Sequence, residues 1–450
     1  MIEELRPIAE AVRARGGRAI AVGGFVRDQL LCELGRPAEV PKDLDVEVFG
    51  LSAPELADAL RGFGEVIAYG RSFPVMRVVG REIDFALPRG EHGPDPAIDF
   101  PAAARRRDLT IDAIGLDPLT GEILDPLGGR ADLAAHLLRA ADPRTFGSDP
   151  LRGLRVMQIA ARFAMEPDAE LVALCGALDL SGLPGERLRV EFDKLLLRAE
   201  RPSRGLEVLR STNLLRFFPE LAALVGVAQD PTWHPEGDVW IHTAMALDAA
   251  AQLRRGDADD PALMYAVLCH DFGKPEASHE RGGRVVAHGH EGDGVAAARR
   301  FLERLRAPNA LTAQVLALVE HHLAPAQLPR DGAKPKAYRR LVRRLEEAGV
   351  GAALLERVAR ADHLGRTTST ALARRFPEGD QFLAAIAQLE IPVGGPRDAV
   401  WGRHLVARGL EPGPEFARIL ARCREVQDET GWSDPDAILR RVLGAPDEAE

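Results

Sequence analysis

Two aspartates at alternating positions, Asp43 and Asp45, lie within a short, otherwise largely apolar stretch of the chain. Side chains two residues apart in a strand project to the same face, so the two carboxylates are expected side by side. Two like charges at that distance repel each other unless a cation lies between them, and carboxylate oxygens are ligands that Mg²⁺ prefers. The spacing therefore predicts a magnesium site.

A glycine pair precedes these aspartates. Gly23 and Gly24 separate an apolar run at 19–22 from a helix-like run at 26–31. A bare turn at a helix N-terminus offers backbone N–H groups to phosphate. The turn and the carboxylates together predict a site that holds a nucleoside triphosphate and its metal.

Two further motifs carry charged side chains. The arginine run 105–107 and Asp108 abut an apolar, strand-like segment, which favours a phosphate or nucleotide contact over a solvated loop. Asp149, Arg152 and Arg155 follow at intervals of three residues and therefore share one edge of a helix. This edge has two interpretations, a capped helix start or a surface that hydrogen-bonds a base.

Histidines are concentrated in the second half of the chain, where nine of the twelve lie between residues 234 and 363. The adjacent pair His270-Asp271 would be costly to bury without partners. Imidazole and carboxylate together suit a divalent transition metal that keeps positions open for water and phosphate. A second metal site is expected here, with the identity of its metal left open.

The whole chain has the composition of a globular protein of several domains. Its 450 residues exceed one ordinary core, and its net charge of −10 argues mildly against a protein coated by nucleic acid. The four cysteines form no Cys-x-x-Cys pair, and no secretory leader or apolar run of membrane length is present. These features predict a reduced, cytoplasmic protein without a membrane partner.

Strand-like runs are confined to the first part of the chain, and the remainder is almost wholly helical in pattern. The overall prediction is an α+β fold, with a mixed head followed by a long helical body. The predicted strands are 19–22, 44–49, 65–68, 75–79, 82–87 and 111–116.

In chain order, Gly-Gly-x-Val-Arg-Asp, Asp-x-Asp, Arg-Arg-Asp-x-Thr and Asp-x-x-Arg-x-Leu-Arg resemble the motifs of the bacterial-type (class II) tRNA nucleotidyltransferase and poly(A) polymerase family. The order His…His-Asp…Asp is similar to that of the HD phosphohydrolase superfamily, and several bacterial tRNA nucleotidyltransferases carry such a domain in this position. The resemblance implies a polymerase-beta-like nucleotidyltransferase head with a small mixed sheet at 1–140 and a helical neck at 141–228. It further implies an HD domain at 229–370 and a C-terminal helical region at 371–450.

The resemblance assigns roles to residues of this chain. Asp43 and Asp45 would be catalytic and would bind Mg²⁺, and Asp149 and Arg152 would form the protein template that selects C or A. The implied nucleotide-binding residues are Gly23, Gly24, Arg27, Asp28, Arg107, Asp108, Asp149, Arg152 and Arg155. The implied ligands of the HD site are His242, His270, Asp271 and Asp362.

Four residues are further candidates. Asp84 falls where a third acidic group would approach the metals of the head, although a surface strand aspartate explains it nearly as well. His288, His290 and His321 are candidates for a second metal or for a phosphate contact in the HD site.

The implied reaction is attack by the 3′-hydroxyl of tRNA on the α-phosphate of CTP or ATP, with release of pyrophosphate. Two metal ions would activate the hydroxyl and neutralise the leaving oxygens. The HD domain implies phosphatase or 2′,3′-cyclic phosphodiesterase activity. The expected partners are the tRNA 3′ end and CTP and/or ATP, and a homodimer is left open.

Several departures from the family pattern leave the product open. Asp112, Ser148 and Gln158 replace residues usual in the family, and the stretch 88–104 is short for a loop that the family links to the final A addition. CC addition alone and poly(A) synthesis are therefore alternatives to full CCA addition. A further alternative is an HD phosphohydrolase whose head has become an RNA-binding module. The presence of both head aspartates argues against it.

Overall fold

The computed structural model describes residues 1–36, 43–69, 75–90, 93–391 and 397–444. Parts of the predicted head, at 37–42, 70–74 and 91–92, and of the predicted C-terminal region, at 392–396 and 445–450, therefore lie outside the described residues. Within the described part of the chain, no helix has both the length and the apolar character needed to cross a membrane.

The first 176 residues alternate short strands and helices. These elements are α1 (Ile2–Ala14), β1 (Arg18–Val22), α2 (Gly24–Glu33), β2 (Leu44–Phe49), α3 (Ala53–Arg61), β3 (Val66–Tyr69), β4 (Val75–Val78), β5 (Ile83–Ala86), α4 (Phe100–Ala104), β6 (Gly115–Leu116), β7 (Ile123–Leu124), α5 (Gly129–Ala135), β8 (Leu137–Leu138), α6 (Arg152–Phe163), β9 (Glu166–Pro167) and α7 (Ala169–Gly176).

Among the described residues after α7, the elements are helices and one hairpin. Its elements are α8 (Gly185–Arg198), α9 (Ser203–Ser211), α10 (Pro219–Ala222), α11 (Val239–Leu253), α12 (Asp260–Cys269), α13 (Lys274–Ala277), β10 (His279–Arg281), β11 (Arg284–Val286), α14 (His290–Arg304), α15 (Asn309–His321), α16 (Ala324–Arg330), α17 (Pro335–Glu347), α18 (Ala352–Leu364), α19 (Ser369–Leu372), α20 (Pro377–Gln388), α21 (Gly402–Val406), α22 (Pro414–Thr430) and α23 (Pro435–Leu443).

Seven strands form one sheet in the order β3-β4-β5-β2-β1-β6-β7. Strands β2 and β5 run parallel and the other neighbours antiparallel, which confirms the predicted small mixed sheet. In β2 the apolar side chains Leu44, Val46 and Val48 are buried, so the intervening acidic residues are held on the other face. The period of two in the sequence thus fixes the direction of the carboxylates.

The predicted strand at 111–116 is wrong over most of its length. The structure has a 3₁₀ turn at Thr110–Asp112, and only Gly115–Leu116 pair as a strand. The hydroxyl of Thr110 donates to Asp132 over 2.6 Å, and the Asp112 carboxylate accepts from Arg27 over 2.6 Å. These polar partners fix the backbone in a turn, where apolar spacing alone predicted a strand.

The chain packs as two compact units. The first comprises Met1–Leu183 and Arg204–Phe217, and the second comprises Pro184–Ser203 and Phe218–Glu450. The predicted neck, 141–228, is therefore divided between them. Its helix α8 packs against α12 in the second unit.

Helix α12 is the centre of the second unit and contacts α8, α11, α15 and α18. Every residue of Ala262–Cys269 is buried, as expected of a helix that is apolar on all sides. The pair His270-Asp271 follows directly at its C-terminal end. The core around α12 therefore places this pair in a water-poor interior.

Candidate functional site

The first candidate site lies on the sheet of the first unit. Asp45 is exposed on β2, opposite Val22 of β1 and Asp84 of β5, and Asp43 is exposed just before the strand begins. Although the residue is exposed, neighbouring groups shield its carboxyl from part of the solvent, and this desolvation raises the pKa of Asp45. Arg107 opposes the rise, and the carboxylates of Asp43 and Asp84 add to it. The structure thus gathers acidic groups around Asp45, a charge arrangement that a divalent cation would stabilise.

The glycine turn lies against this acidic group. Gly23 has φ +74 and precedes α2, a conformation that favours glycine. A Cβ at Gly23 would lie 3.5 Å from Asp45 Oδ2 and 3.4 Å from Arg107 Nη1. The bare turn therefore keeps open the space between a carboxylate and a guanidinium.

Arg107 is held in this position by Glu47, a residue that sequence reasoning missed. Its Nη2 donates to Glu47 Oε1 over 2.6 Å, and both side chains are largely buried. Glu47 follows Asp45 by two residues on the same face of β2, and this alternation was its signal in the sequence. The ion pair fixes a cation next to Asp45.

The third acidic candidate, Asp84, is already paired. Arg77 Nε donates to Asp84 Oδ1 over 2.6 Å, and Arg77 Nη2 donates to Asp84 Oδ2 over 2.9 Å. Hydrogen bonds from Arg77 and Tyr69 outweigh the effect of burial and lower the pKa of Asp84. This bidentate pairing favours a structural role for Asp84 over a metal-binding one.

Arg27 and Asp28 lie beneath the turn and not on its surface. Arg27 donates to Asp28 over 2.8 Å and to Asp112 over 2.6 Å, and its guanidinium lies 4.4 Å from the ring centre of Phe163. This buried cluster explains the acidic residue at position 112, because its carboxylate balances Arg27. The two motif residues therefore shape the site by fixing the start of α2.

Asp108 joins two of the predicted motifs. It accepts from Arg152 Nε over 2.6 Å and from Arg155 Nη1, while Asp149 lies 3.9 Å from Arg155. Arg152 is buried and also donates to the carbonyls of Thr145 and Arg106. The predicted base-reading edge is thus an ion-pair network in which Arg155 is the more exposed arginine.

Replacing Asp108 by asparagine should destabilise the first unit by about 3 kcal/mol, because it leaves the buried Arg152 guanidinium without its charge partner. Urea unfolding followed by far-UV circular dichroism and tryptophan fluorescence measures this. All four tryptophans, at 233, 240, 401 and 432, lie in the second unit, so only the dichroism transition should shift. The matched control, Asp58→Asn, removes an exposed ion pair with Arg61 and should change stability by less than about 1 kcal/mol. Equal effects of the two substitutions would contradict the role of Asp108.

The second candidate site lies among the helices of the second unit. His242 on α11, His270 and Asp271 after α12, and Asp362 on α18 converge there. His242 Nε2 lies 3.0 Å from Asp362 Oδ1, 3.3 Å from His270 Nε2 and 3.8 Å from Asp271 Oδ2. All four side chains are buried.

A second group shares Asp271. It contains His290 at the start of α14 and His322 just after α15, and His290 Nε2 lies 3.4 Å from Asp271 Oδ1. The structure therefore places His322, and not the predicted His321, in the centre, because consecutive helical residues point about 100° apart. His288, the other candidate, is exposed and outside the group.

Three imidazoles of this centre are oriented alike. Nδ1 of His270, His290 and His322 lies in each case 2.7 Å from the carbonyl oxygen three residues earlier, the position of an N–H donor. A ring that donates through Nδ1 presents the lone pair of Nε2, the arrangement of metal-ligating histidines. Among the described residues, Nε2 of His322 has no hydrogen-bond partner.

Burial and neighbouring charges shift the pKa values of the histidines and of Asp271 in this centre. Burial alone would lower the pKa of His270 and of His290, but the Asp271 carboxylate outweighs it and raises both. Burial and the neighbouring rings lower the pKa of His322 to about 3, so this imidazole is neutral at pH 7. His270, Lys274 and further hydrogen bonds outweigh burial and hold the pKa of Asp271 well below its usual range. Protons and metal would therefore compete for His270 and His290.

Two cations that sequence reasoning did not single out flank the centre. Lys274 Nζ lies 2.8 Å from Asp271 Oδ2 and donates to Gln229 over 2.6 Å. Arg366 donates to both oxygens of Asp362, over 3.0 and 2.9 Å. The sequence signal for these cations was their spacing: Lys274 follows Asp271 by three residues, and Arg366 follows Asp362 by four.

The imidazole nitrogens and carboxylate oxygens of the second unit could hold a divalent metal ion. Within each group the nitrogen and oxygen atoms lie within 4.8 Å of one another, as ligands of one ion do. Neutral imidazoles with carboxylates suit a transition metal, and burying them without one would be costly. The head offers oxygen donors instead, which suit Mg²⁺.

Three models of known protein families match successive parts of the chain. Residues 19–139 match the model of the poly A polymerase head domain. Residues 163–224 match the probable RNA and SrmB-binding site of polymerase A, and residues 239–365 match the HD domain.

Solved structures share the fold over nearly the whole chain. The CCA-adding enzyme of Bacillus stearothermophilus in complex with CTP is 22% identical, with a TM-score of 0.64 over 95% of this chain and 93% of that one. A CCA-adding enzyme with CTP is 18% identical, with a TM-score of 0.63 over 98% and 94% of the two chains. The Thermotoga maritima CCA-adding enzyme complexed with tRNA is 18% identical, with a TM-score of 0.59 over 98% and 94%.

The motifs, the three domain matches in their order and this shared fold lead to one conclusion. The chain combines a poly A polymerase head domain, the probable RNA-binding region of that polymerase and an HD domain, in this order, on a fold that it shares with CCA-adding enzymes.

Proposed function

We propose that this protein adds C and/or A residues to the 3′ end of tRNA from CTP and ATP. The observation that carries the proposal is the exposed pair Asp43 and Asp45 beside the open turn at Gly23, with Arg107 fixed next to Asp45. Acidic oxygens, a bare turn and a guanidinium are the groups that a metal-bound triphosphate requires.

In this proposal Asp43 and Asp45 hold Mg²⁺ on the open face of β2. A metal held by these carboxylates would lower the pKa of the attacking hydroxyl and would neutralise the leaving oxygens. Glu47 keeps the Arg107 guanidinium directed at the triphosphate, and Gly23 leaves the room that a side chain would fill. The chain provides no covalent nucleophile in this scheme, and its residues contribute by binding and orientation.

Selection of the base is proposed for the edge formed by Asp149 and Arg152. The buried hydrogen bonds of Arg152 hold it rigidly against Asp108, and Arg155 extends the same network towards solvent. A carboxylate and a guanidinium held rigidly can hydrogen-bond C or A and reject a base with the opposite donor pattern. The match at 163–224 and the tRNA complex of the Thermotoga maritima enzyme support RNA as the acceptor.

For the second unit we propose hydrolysis of phosphate esters, of the phosphatase or 2′,3′-cyclic phosphodiesterase type. His242, His270, Asp271 and Asp362 would hold a divalent metal, which supplies an activated water. Lys274 and Arg366 lie against these carboxylates, where they would attract a phosphate group. The hydrogen bonds from Nδ1 to main-chain carbonyls direct Nε2 of His270, His290 and His322 into the centre.

The proposal predicts nucleotide-specific extension of a tRNA transcript that lacks its 3′ CCA end. CTP alone should support addition of a short, defined C tract, and CTP with ATP should complete the end. Sequencing of the products with CTP alone, ATP alone and both measures this, with an unrelated RNA hairpin as the control acceptor.

Each alternative gives a different product. An end that stops at CC with both nucleotides indicates a CC-adding enzyme. A long A tract from ATP alone on either RNA indicates a poly(A) polymerase. Absence of any extension, with hydrolysis of phosphate esters retained, would leave the HD phosphohydrolase with an RNA-binding head and overturn the proposed transfer.

A further inference from the structure

Glu236 is a buried carboxylate that contacts the metal centre of the second unit from outside. It lies in the loop before α11, and its side chain is 1% exposed. Its Oε1 lies 2.8 Å from Nδ1 of His242 and 2.9 Å from Nδ1 of His234, and its Oε2 accepts the backbone N–H of Thr367 over 3.2 Å. One carboxylate thus joins three segments of the chain.

His242 differs from the other inward-pointing histidines in how it is anchored. His270, His290 and His322 stand at helix ends and donate to a nearby main-chain carbonyl. His242 lies inside α11, where the carbonyls are engaged in helix hydrogen bonds. It therefore needs an acceptor from another segment, and Glu236 supplies one that carries a negative charge.

The second contact of Glu236 reaches another ligand. Thr367 directly follows Arg366, whose guanidinium holds Asp362 through both carboxylate oxygens. Glu236 therefore ties the segment after α18 to the first turn of α11, the two helices that carry Asp362 and His242. Their ligand atoms lie 3.0 Å apart.

We propose that Glu236 is a positioning residue of this centre, which keeps His242 protonated on Nδ1 and directs its Nε2, together with Asp362, at the metal. This inference rests on the proposed metal-dependent function of the second unit. In this proposal Glu236 is not itself a metal ligand, because its oxygens accept N–H groups. The imidazole nitrogens nearest to it are Nδ1 of His234 and His242, and not the Nε2 atom that His242 directs at the metal.

Co²⁺ binding to the full-length protein tests the proposal, with calorimetry for affinity and stoichiometry and visible absorption for ligand geometry. Glu236→Gln should raise the Kd for Co²⁺ by about 10- to 100-fold and change the absorption bands, while the number of ions bound stays the same. Glu280→Gln, the same change at an exposed carboxylate on β10, should match the unsubstituted protein. Glu236→Asp keeps the charge but shortens the reach, and a smaller loss of affinity is expected.

The outcomes separate this inference from the function on which it rests. A folded Glu236→Gln or Glu236→Asp protein that binds Co²⁺ with the original Kd and spectrum would overturn the positioning role. Loss of one bound ion with unchanged affinity for the rest would also overturn it, since Glu236 would then be a ligand. Failure of the unsubstituted protein to bind Co²⁺ would instead contradict the proposed metal-dependent function of the second unit.

Discussion

Replacing Asp45 by asparagine is expected to reduce nucleotide incorporation into tRNA by about 10³-fold or more. A bound metal supplies several kcal/mol to the transition state, and each loss of about 1.36 kcal/mol slows the reaction tenfold. Asp45 lies on the exposed face of β2 beside the glycine turn, where an amide cannot replace the charge that binds Mg²⁺. The fold should be retained, because this side chain is not part of the core.

Incorporation of labelled CTP and ATP into a truncated tRNA transcript measures the loss. Asp43→Asn should have a comparable effect, whereas Asp58→Asn, on the exposed surface of α3, should leave the rate unchanged. Hydrolysis of a phosphate ester by the second unit serves as the internal control for an intact protein. Incorporation by Asp45→Asn at the original rate would contradict the assignment of these carboxylates as metal ligands.

The arrangement within β2 could be predicted from the sequence because it depends on a local period. Alternation of Leu44, Asp45 and Val46 dictates which side chains enter the core and which face outward. The position of Gly23 before a helix-like run likewise predicted its turn. Both features depend on residues adjacent in the chain, and the structure contains them as expected.

The ion pairs behind the site could not be predicted in this way. Glu47 and Arg107 are 60 residues apart, and Asp108 and Arg152 are 44 apart. Any of several arginines in these motifs had the right charge for either partner. The path of the chain between them decides which groups meet, and no periodicity of the sequence records that path.

The metal centre shows the same limit on a smaller scale. His321 and His322 are adjacent and identical in chemistry, and only the end of α15 decides that His322 turns inward. Glu236 lies six residues before His242 in a Trp-His-Pro-Glu segment, and nothing in that order indicates a hydrogen bond between the two side chains. Orientation of a side chain depends on the packed helix and not on its spacing from the other ligands.

Replacing Asp271 by asparagine is expected to abolish hydrolysis of phosphate esters, with a loss of about 10³-fold or more, and to weaken metal binding at both groups. Asp271 is the residue that the two groups share, with one oxygen towards His270 and the other towards His290. An amide offers one oxygen without charge and directs an NH₂ group at the second position. A substitution at His322 removes a donor atom from only one of the two groups. The protein should therefore lose fewer bound metal ions than it does on substitution of Asp271.

Hydrolysis of p-nitrophenyl phosphate and calorimetric titration with Mn²⁺ measure the two effects in the same preparations. Asp331→Asn, at an exposed carboxylate after α16, is the matched control and should behave as the unsubstituted protein. Nucleotide incorporation should persist in Asp271→Asn, because its acidic ligands belong to the first unit. A variant that still hydrolyses the ester would show that the reaction does not depend on Asp271. A variant that binds as many Mn²⁺ ions with the original affinity would contradict Asp271 as a metal ligand. Loss confined to hydrolysis would establish the two chemistries as separable within one chain.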